Sequence, residues 1–239
     1  MYSMKEDKQI ELVQIVRPTD EERERILEII EVSFKDTQMN KFIFGDDLAT
    51  QRLFHLRKLG GAFDPDPSVH QDKQVEGCEI WVTKLGGEVQ SVMVLIRPGQ
   101  SRGDSRDKME YERTALARLP EEKKDWIKNE RKVLSKRAEQ SAQFEIKQAF
   151  NLEIIATHPS ARRHGLGTML IRKLISLLTN EERHIWLTST HDTAVEFYKK
   201  LGFNVVFEDV IHFGEEQGRF RAIAYELTSE CTFVHADAQ

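Results

Sequence analysis

The stretch from Ala149 to Thr190 constrains the fold most. "AFNLEIIAT" reads as a strand with an apolar centre, closed by Pro159. From Gly165 to Thr179, Leu166, Met169, Leu170, Leu174, Leu177 and Leu178 recur at helical spacing on one face, and Asn180 fits the end of that helix. "HIWLTST" is then a second strand. A strand, a helix and a strand in that order form a crossover unit, which belongs to an α/β sheet.

The rest of the chain supplies the other parts of such a sheet. Ile10 to Val16 alternates as a strand, and Thr19 with Glu22 has capping-box spacing before a helix whose inward stripe is Ile26, Ile29, Ile30 and Phe34. A second helix is predicted between Asp46 and Leu59. It ends at Gly60-Gly61, and a loop is expected from Phe63 to Glu76. "CEIWVTKL" and "EVQSVMVLI" form a hairpin around Gly86-Gly87. Residues Arg102 to about Lys147 are dense in charge and keep helical spacing at Ile127, Leu134, Ala138 and Ala142. They read as one or two exposed helices with a break near Pro120, either a solvated insertion or a lid over a pocket. "HDTAVEFYKKLG" is a short helix with Phe197 and Leu201 inward and Gly202 as a left-handed cap. Strands Val205 to Phe213 and Arg219 to Leu227 finish the chain around "GEEQG". The order β-α-α-β-β-(insertion)-β-α-β-α-β-β predicts one mixed α/β domain over residues 1–239, with a helical insertion at 100–147.

Composition narrows the function. With 39% apolar and 31% charged residues the chain reads as ordered and soluble, and a net charge of −5 argues against a general nucleic-acid binder. No apolar run approaches the about 20 residues that span a membrane, and the N-terminal stretch lacks the apolar core of a secretory signal. Cys78 and Cys231 match no metal spacing and suit a reducing compartment, so a cytoplasmic protein is expected. No metal site is visible. His55 and His70 match no cluster, and His158, beside Pro159, reads as structural.

"HPSARRHGLGTML" sits between the strand and the long helix. The first-turn amides of a helix lack intrahelical acceptors and, with the helix dipole, favour an anion. Glycines let backbone amides face a ligand, and Arg162, Arg163 and His164 add charge at the rim. The stretch therefore suits a pyrophosphate, although a plain strand–turn–helix with two glycines fits it as well. It is no Walker loop, because no Gly-Lys-Ser/Thr follows, and it is a poor dinucleotide fingerprint, lacking the third glycine.

"RRHGLG" resembles the Arg/Gln-x-x-Gly-x-Gly/Ala signature of the GNAT superfamily of N-acetyltransferases, with Arg162, Gly165 and Gly167 in the defining places. "LEIIATHP" is similar to that family's fourth strand, and "AVEFYKKLGF" to its final helix motif. The resemblance covers Phe150 to Val206 well and the N-terminal half in outline. Its wording is nearest to the puromycin-acetyltransferase-like and fungal small-molecule branch.

The resemblance implies a GNAT-like fold, a coenzyme-binding core at 150–206 and acetyl-CoA as co-substrate. It implies that amides from Arg163 through His164, Gly165, Leu166 and Gly167 to Thr168 hold the pyrophosphate. The pantetheine arm would lie between splayed fourth and fifth strands against Ile155, Ala156 and Thr157, where the amide of Ile155 or Ala156 would polarise the thioester carbonyl. Tyr198 falls where relatives carry a tyrosine near the coenzyme sulfur, suited to protonating the departing thiolate; otherwise it is an aromatic packed beside Phe197. His191 departs from the Asn common at its position; it would touch the pantetheine arm, act as a base or cap the helix. Glu153 is the candidate general base or a structural carboxylate, and Asn151, two residues earlier on its face, is no base. The expected reaction is direct acetyl transfer to a primary amine of a small molecule. The alternatives are a protein or peptide amine, a non-catalytic acyl-CoA-binding module, and a domain whose glycine loop is only a turn.

Overall fold

Thr19 closes the predicted capping box. Its hydroxyl accepts from the Glu22 amide at 3.2 Å, and its own amide donates to the Glu22 carboxylate at 3.1 Å. The computed structural model describes residues 9–59, 78–100 and 106–226. The expected loop at 63–76, His70 and Cys231 lie outside them. The helix begun by Thr19, α1 (Asp20–Phe34), buries Ile26, Leu27, Ile29 and Ile30. A short helix that the sequence does not announce, α2 (Gln38–Phe44), follows. Thr37 caps it by accepting from the Asn40 amide at 3.3 Å. Seven residues are too few for a helical period to stand out. Helix α3 (Leu48–Leu59) comes next.

The sheet has seven strands: β1 (Ile10–Ile15), β2 (Cys78–Leu85), β3 (Glu88–Ile96), β4 (Phe150–Thr157), β5 (Ile185–Ser189), β6 (Asn204–Phe213) and β7 (Glu216–Tyr225), in the order β1-β2-β3-β4-β5-β7-β6. The β2–β3 hairpin turns on Gly86 (φ 63°) and Gly87 (φ 84°), the two left-handed residues that a tight hairpin needs. All neighbours run antiparallel except β4 and β5, which are joined by the crossover helix α7 (Leu166–Glu181). This is the mixed α/β architecture expected. The final turn is tighter than "GEEQG" suggested: β7 begins at Glu216 and leaves Gly214 and Glu215 as the turn. Helix α7 runs past Asn180, and the left-handed residue at its end is Glu182 (φ 51°).

The insertion between β3 and β4 is folded onto the domain and is not a solvated appendage. It contains α4 (Arg106–Arg118), α5 (Glu121–Trp126), a π turn (Ile127–Arg131) and α6 (Lys132–Ser141), with the predicted break at Pro120. Ala115 of α4 and Leu119, just beyond its end, pack with Phe44 and Phe54. Leu134 and Ala138 of α6 pack against Trp186, Ile211, Phe213 and Phe220 on the sheet. Trp126 meets Phe42 edge-on, lies tilted against Phe213 and donates its indole N–H to the His212 carbonyl. These are long-range partners, invisible in a charge-dense local sequence.

One register slip positions everything that follows. β4 pairs with β3 through Val94–Ile154 and then Leu95–Leu152, so the register skips Glu153, which forms a bulge. A one-residue slip exchanges the faces of a strand. Phe150 and Leu152 therefore pack with α7, while Ile154 and Ala156 pack with α1.

Candidate active site

β4 and β5 touch only at their beginnings, through Phe150–Ile185 and Asn151–Trp186. Beyond that point they diverge, and the edge of β4 from Leu152 to Thr157 that faces β5 pairs with no strand among the described residues. A cavity of about 1150 Å³ follows the gap, at the upper end of small-ligand pockets and large enough for two ligands side by side. Asn151, Glu153, Ile155, Ala156 and Thr157 line it from β4.

The glycine loop forms the mouth of this gap. His158 caps a short 3-10 turn (Pro159–Ala161), its Nδ1 accepting from the Ser160 amide at 3.4 Å. It does not line the cavity, in keeping with its structural reading. Arg163 then takes φ 70°, unusual for a residue with a side chain, and Gly165 takes φ 79° as the N-cap of α7. Two left-handed residues so close together turn successive amides toward one side, as anion-binding nests do. His164 donates its Nδ1–H to the carbonyls of Ala161 (3.2 Å) and Arg162 (3.1 Å), which braces the loop. Arg162 donates from Nε to the Thr157 carbonyl at 3.4 Å. Arg162, Arg163, Gly165, Leu166, Gly167 and Thr168 line the cavity, whereas His164 does not. A Cβ on Gly167 would sit 3.5 Å from Thr157 Oγ1 and 3.7 Å from Phe197, so the loop, β4 and the next helix meet there.

That helix, α8 (Asp192–Lys199), brings the third group. Its buried residues are Val195 and Tyr198, while Phe197 and Leu201, expected inward, are half-buried. The reason is that α8 covers the cavity as well as the core, and Phe197 faces the cavity. Tyr198 is 4% exposed and lines the cavity too, its ring 5.4 Å from those of Phe197 and Phe203. Burial pushes its phenol well above the usual value, so it is a neutral hydrogen-bond donor. His191 is the N-cap of α8, exposed at the rim, with Nδ1 3.1 Å from Thr193 Oγ1. On the outer side Arg221 of β7 clamps α8, pairing with Asp192 at 2.7 Å and with Glu208 at 2.5 Å.

The remaining wall comes from residues the sequence did not single out: Ser33 and Phe34 of α1, Met39 and Asn40 of α2, His55 and Lys58 of α3, and Arg131, Ser135 and Glu139 of the insertion. The last three recur every fourth residue on one helical face, a pattern that reads as a solvated polar stripe until its neighbours are known. The insertion thus lines the cavity, as the lid reading supposed, but from a docked position.

His55 carries a pH signature. It is 4% exposed, and burial, reinforced by the Lys58 charge, pushes its pKa down to about 3. Free imidazole titrates near about 6.5, so between these values the unfolded chain holds a proton that the folded chain does not. Stability therefore falls as pH drops below about 6.5, by up to about 1.4 kcal/mol per pH unit from this group. Wild type should lose about 2 kcal/mol more than His55→Gln between pH 7 and pH 5 in denaturant titrations. Equal losses would show that the ring is not held neutral.

Residues 131–205 match the family model described as an acetyltransferase (GNAT) domain. No curated protein matches the sequence. Among solved structures, the chain is similar to a Drosophila melanogaster polyamine N-acetyltransferase that forms N-acetylagmatine (TM-score 0.59, 12% identity, 91% of this chain and 100% of that one). It is also similar to a mosquito arylalkylamine N-acetyltransferase-like protein (TM-score 0.54, 14% identity, 91% and 100%). A third likeness is to a Corynebacterium glutamicum structure described as histone acetyltransferase HPA2 and related acetyltransferase (TM-score 0.54, 18% identity, 92% and 97%). At these identities the likeness is one of fold.

Proposed function

We propose that this chain, which carries a GNAT acetyltransferase domain, is an acetyl-CoA-dependent N-acetyltransferase that passes acetyl directly to a primary amine of a small molecule. It is an acyltransferase, nearest in its motif wording to the puromycin-acetyltransferase-like and fungal small-molecule branch. One observation carries the reading: the glycine loop, the unpaired edge of β4 and Tyr198 all open into one cavity.

Each part has a task in acyl transfer. The amides from Arg163 to Thr168, with the Arg162 and Arg163 charges, hold the pyrophosphate of the coenzyme at the start of α7. The β4 edge at Ile155, Ala156 and Thr157 offers backbone groups to the pantetheine arm, and His191 borders it. An amide of Ile155 or Ala156 donates to the thioester oxygen as it gains charge. Glu153, raised on the bulge, accepts the proton that the acceptor ammonium must shed before its nitrogen can attack. The nitrogen forms the new C–N bond as the C–S bond breaks, and Tyr198 donates a hydrogen bond to the departing thiolate. Neither motif contains a cysteine, so no acyl-enzyme is needed. Most of the acceleration comes from holding amine and thioester together.

A free-CoA release screen across polyamines, aminoglycosides, puromycin-like amines, aryl amines, amino acids and basic peptides tests this. Release of CoA with formation of the acetylated small amine is expected. Acetyl-CoA binding with no release for any amine would make the chain a binding module. Release with peptides alone would move the acceptor to a protein.

A further inference from the structure

Arg221 sits where β7 is otherwise apolar. Phe220, Ala222 and Ala224 face the insertion, whereas Ile223 and Tyr225 pack on the side of α7 and α8. The faces of a strand alternate, so Arg221 shares the second face, and it is 9% exposed. A buried guanidinium is costly unless it is paired, and this one is paired twice. Its backbone stands opposite Ser189, the last residue of β5, and Glu208 of β6. Its side chain pairs with Glu208 at 2.5 Å and with Asp192, the first residue of α8, at 2.7 Å. One residue thus ties the end of β5, the strand β6 and the start of α8 together.

α8 needs such a tie. It has eight residues, too few to hold a direction without tertiary contacts. Its N-cap, His191, makes no side-chain bond to the first-turn amides, and its buried residues begin at Val195. Among the described residues Asp192 has no other cationic partner. The Asp192 side chain is 82% exposed, and so open an ion pair contributes little to global stability. Glu208 does not depend on Arg221 either, because it also pairs with Arg219 at 2.6 Å. What the Arg221–Asp192 contact sets is therefore the direction of α8. Tyr198 stands six residues beyond Asp192, about 9 Å along the axis. So short a helix moves as a unit, and a tilt of its first turn displaces the phenol. A misplacement of about 1 Å can cost about 10²-fold in rate. Neither Arg221 nor Asp192 lines the cavity.

Resting on the acetyltransferase reading above, we propose that Arg221 is a positioning residue for acetyl transfer: through Asp192 it holds α8 at the angle that brings the Tyr198 hydroxyl to the coenzyme sulfur.

The first arm of the test needs no acceptor amine. The four tyrosines are replaced by 3-fluorotyrosine in the full-length protein, and the Tyr198 fluorine resonance is identified by its loss in Tyr198→Phe. Asp192→Asn alters only an exposed carboxylate, and Arg221→Met keeps an apolar stem without the charge. With CoA bound, each should shift or broaden the Tyr198 resonance and leave that of Tyr111, on α4, in place. Asp192→Asn should lower the melting temperature by no more than about 4 °C. The second arm is single-turnover transfer to the amine that the release screen acetylates fastest. Both substitutions should slow transfer about tenfold or more, with acetyl-CoA affinity within about twofold of wild type. Arg221→Lys, which keeps a cation beside Asp192, should recover part of the rate. In a Tyr198→Phe background the same substitutions should cost less than about twofold, because the hydroxyl they place is gone. An unchanged Tyr198 resonance in both variants overturns the inference, as do equal rate losses with and without the Tyr198 hydroxyl. If no amine is acetylated, the acetyltransferase reading fails instead, and the fluorine arm still decides whether Arg221 places the ring.

Discussion

Replacing Tyr198 with Phe should slow acetyl transfer by about 10²-fold, within the range for general acids, while acetyl-CoA affinity stays near wild type. The change deletes one hydroxyl and keeps the ring, which packs against Phe197 and Phe203. A free thiol titrates near about 8.5 and a phenol near about 10. Burial lifts the Tyr198 phenol further, so on the proposed mechanism it would donate a hydrogen bond to the developing thiolate without giving up its proton completely. Two consequences follow. The pH profile of the rate should show no limb from Tyr198 below about pH 10. The loss in Tyr198→Phe should also shrink with a thioester whose thiol leaves more easily. Single-turnover measurement is the appropriate readout, since slow product release would mask the chemical step. A wild-type single-turnover rate would make Tyr198 a packing residue, and a failure to bind coenzyme would make its role positional.

The second large effect is expected in the glycine loop. Gly165→Val should lower acetyl-CoA affinity at least tenfold, about 1.4 kcal/mol or more. Gly165 holds φ 79°, which a β-branched residue resists. A Cβ there meets no protein atom within 4 Å, so the protein itself has room for the side chain. Left-handed strain costs roughly 1–2 kcal/mol and should appear as a lower melting temperature. The lost affinity would have a separate origin, because on the proposed reading the methyl groups stand where the coenzyme phosphates would approach the first turn of α7. Titration and thermal melting on the same sample separate the two. A folded variant with lower melting temperature and unchanged affinity would remove the pyrophosphate reading of this loop.

Features that rest on neighbouring residues were legible in the sequence. The capping box at Thr19, the hairpin at Gly86-Gly87, the break at Pro120 and the seven strands in order each depend on a few adjacent side chains or on a period of two or 3.6 residues. The two motifs that carry the candidate site, around Gly165 and around Tyr198, were legible for the same reason: a phosphate loop and a helix start are local backbone shapes with local residue requirements. The short helix α2 was not, since Thr37 to Phe44 makes too few turns to show a period. The insertion at Arg106 to Ser141 reads as exposed in the sequence because its apolar residues are sparse. Their partners, Phe42, Trp186 and Phe213, lie far away in the chain.

By itself, then, the sequence determined the fold class, the order of the elements and where along the chain the glycine loop and the helix that carries Tyr198 belong. Tertiary structure alone decided how they meet. The bulge at Glu153 exchanges the faces of β4, and the parting of β4 from β5 after Asn151 opens the cavity. Both depend on register against a neighbouring strand, and register is a property of the pair. The same holds for the far wall, where His55, Lys58 and Arg131 come together from α3 and the insertion. Each is an unremarkable polar residue on its own helix. Only the docking of one helix beside another buries the imidazole, leaves its Nδ1 without a partner and sets two cations beside it.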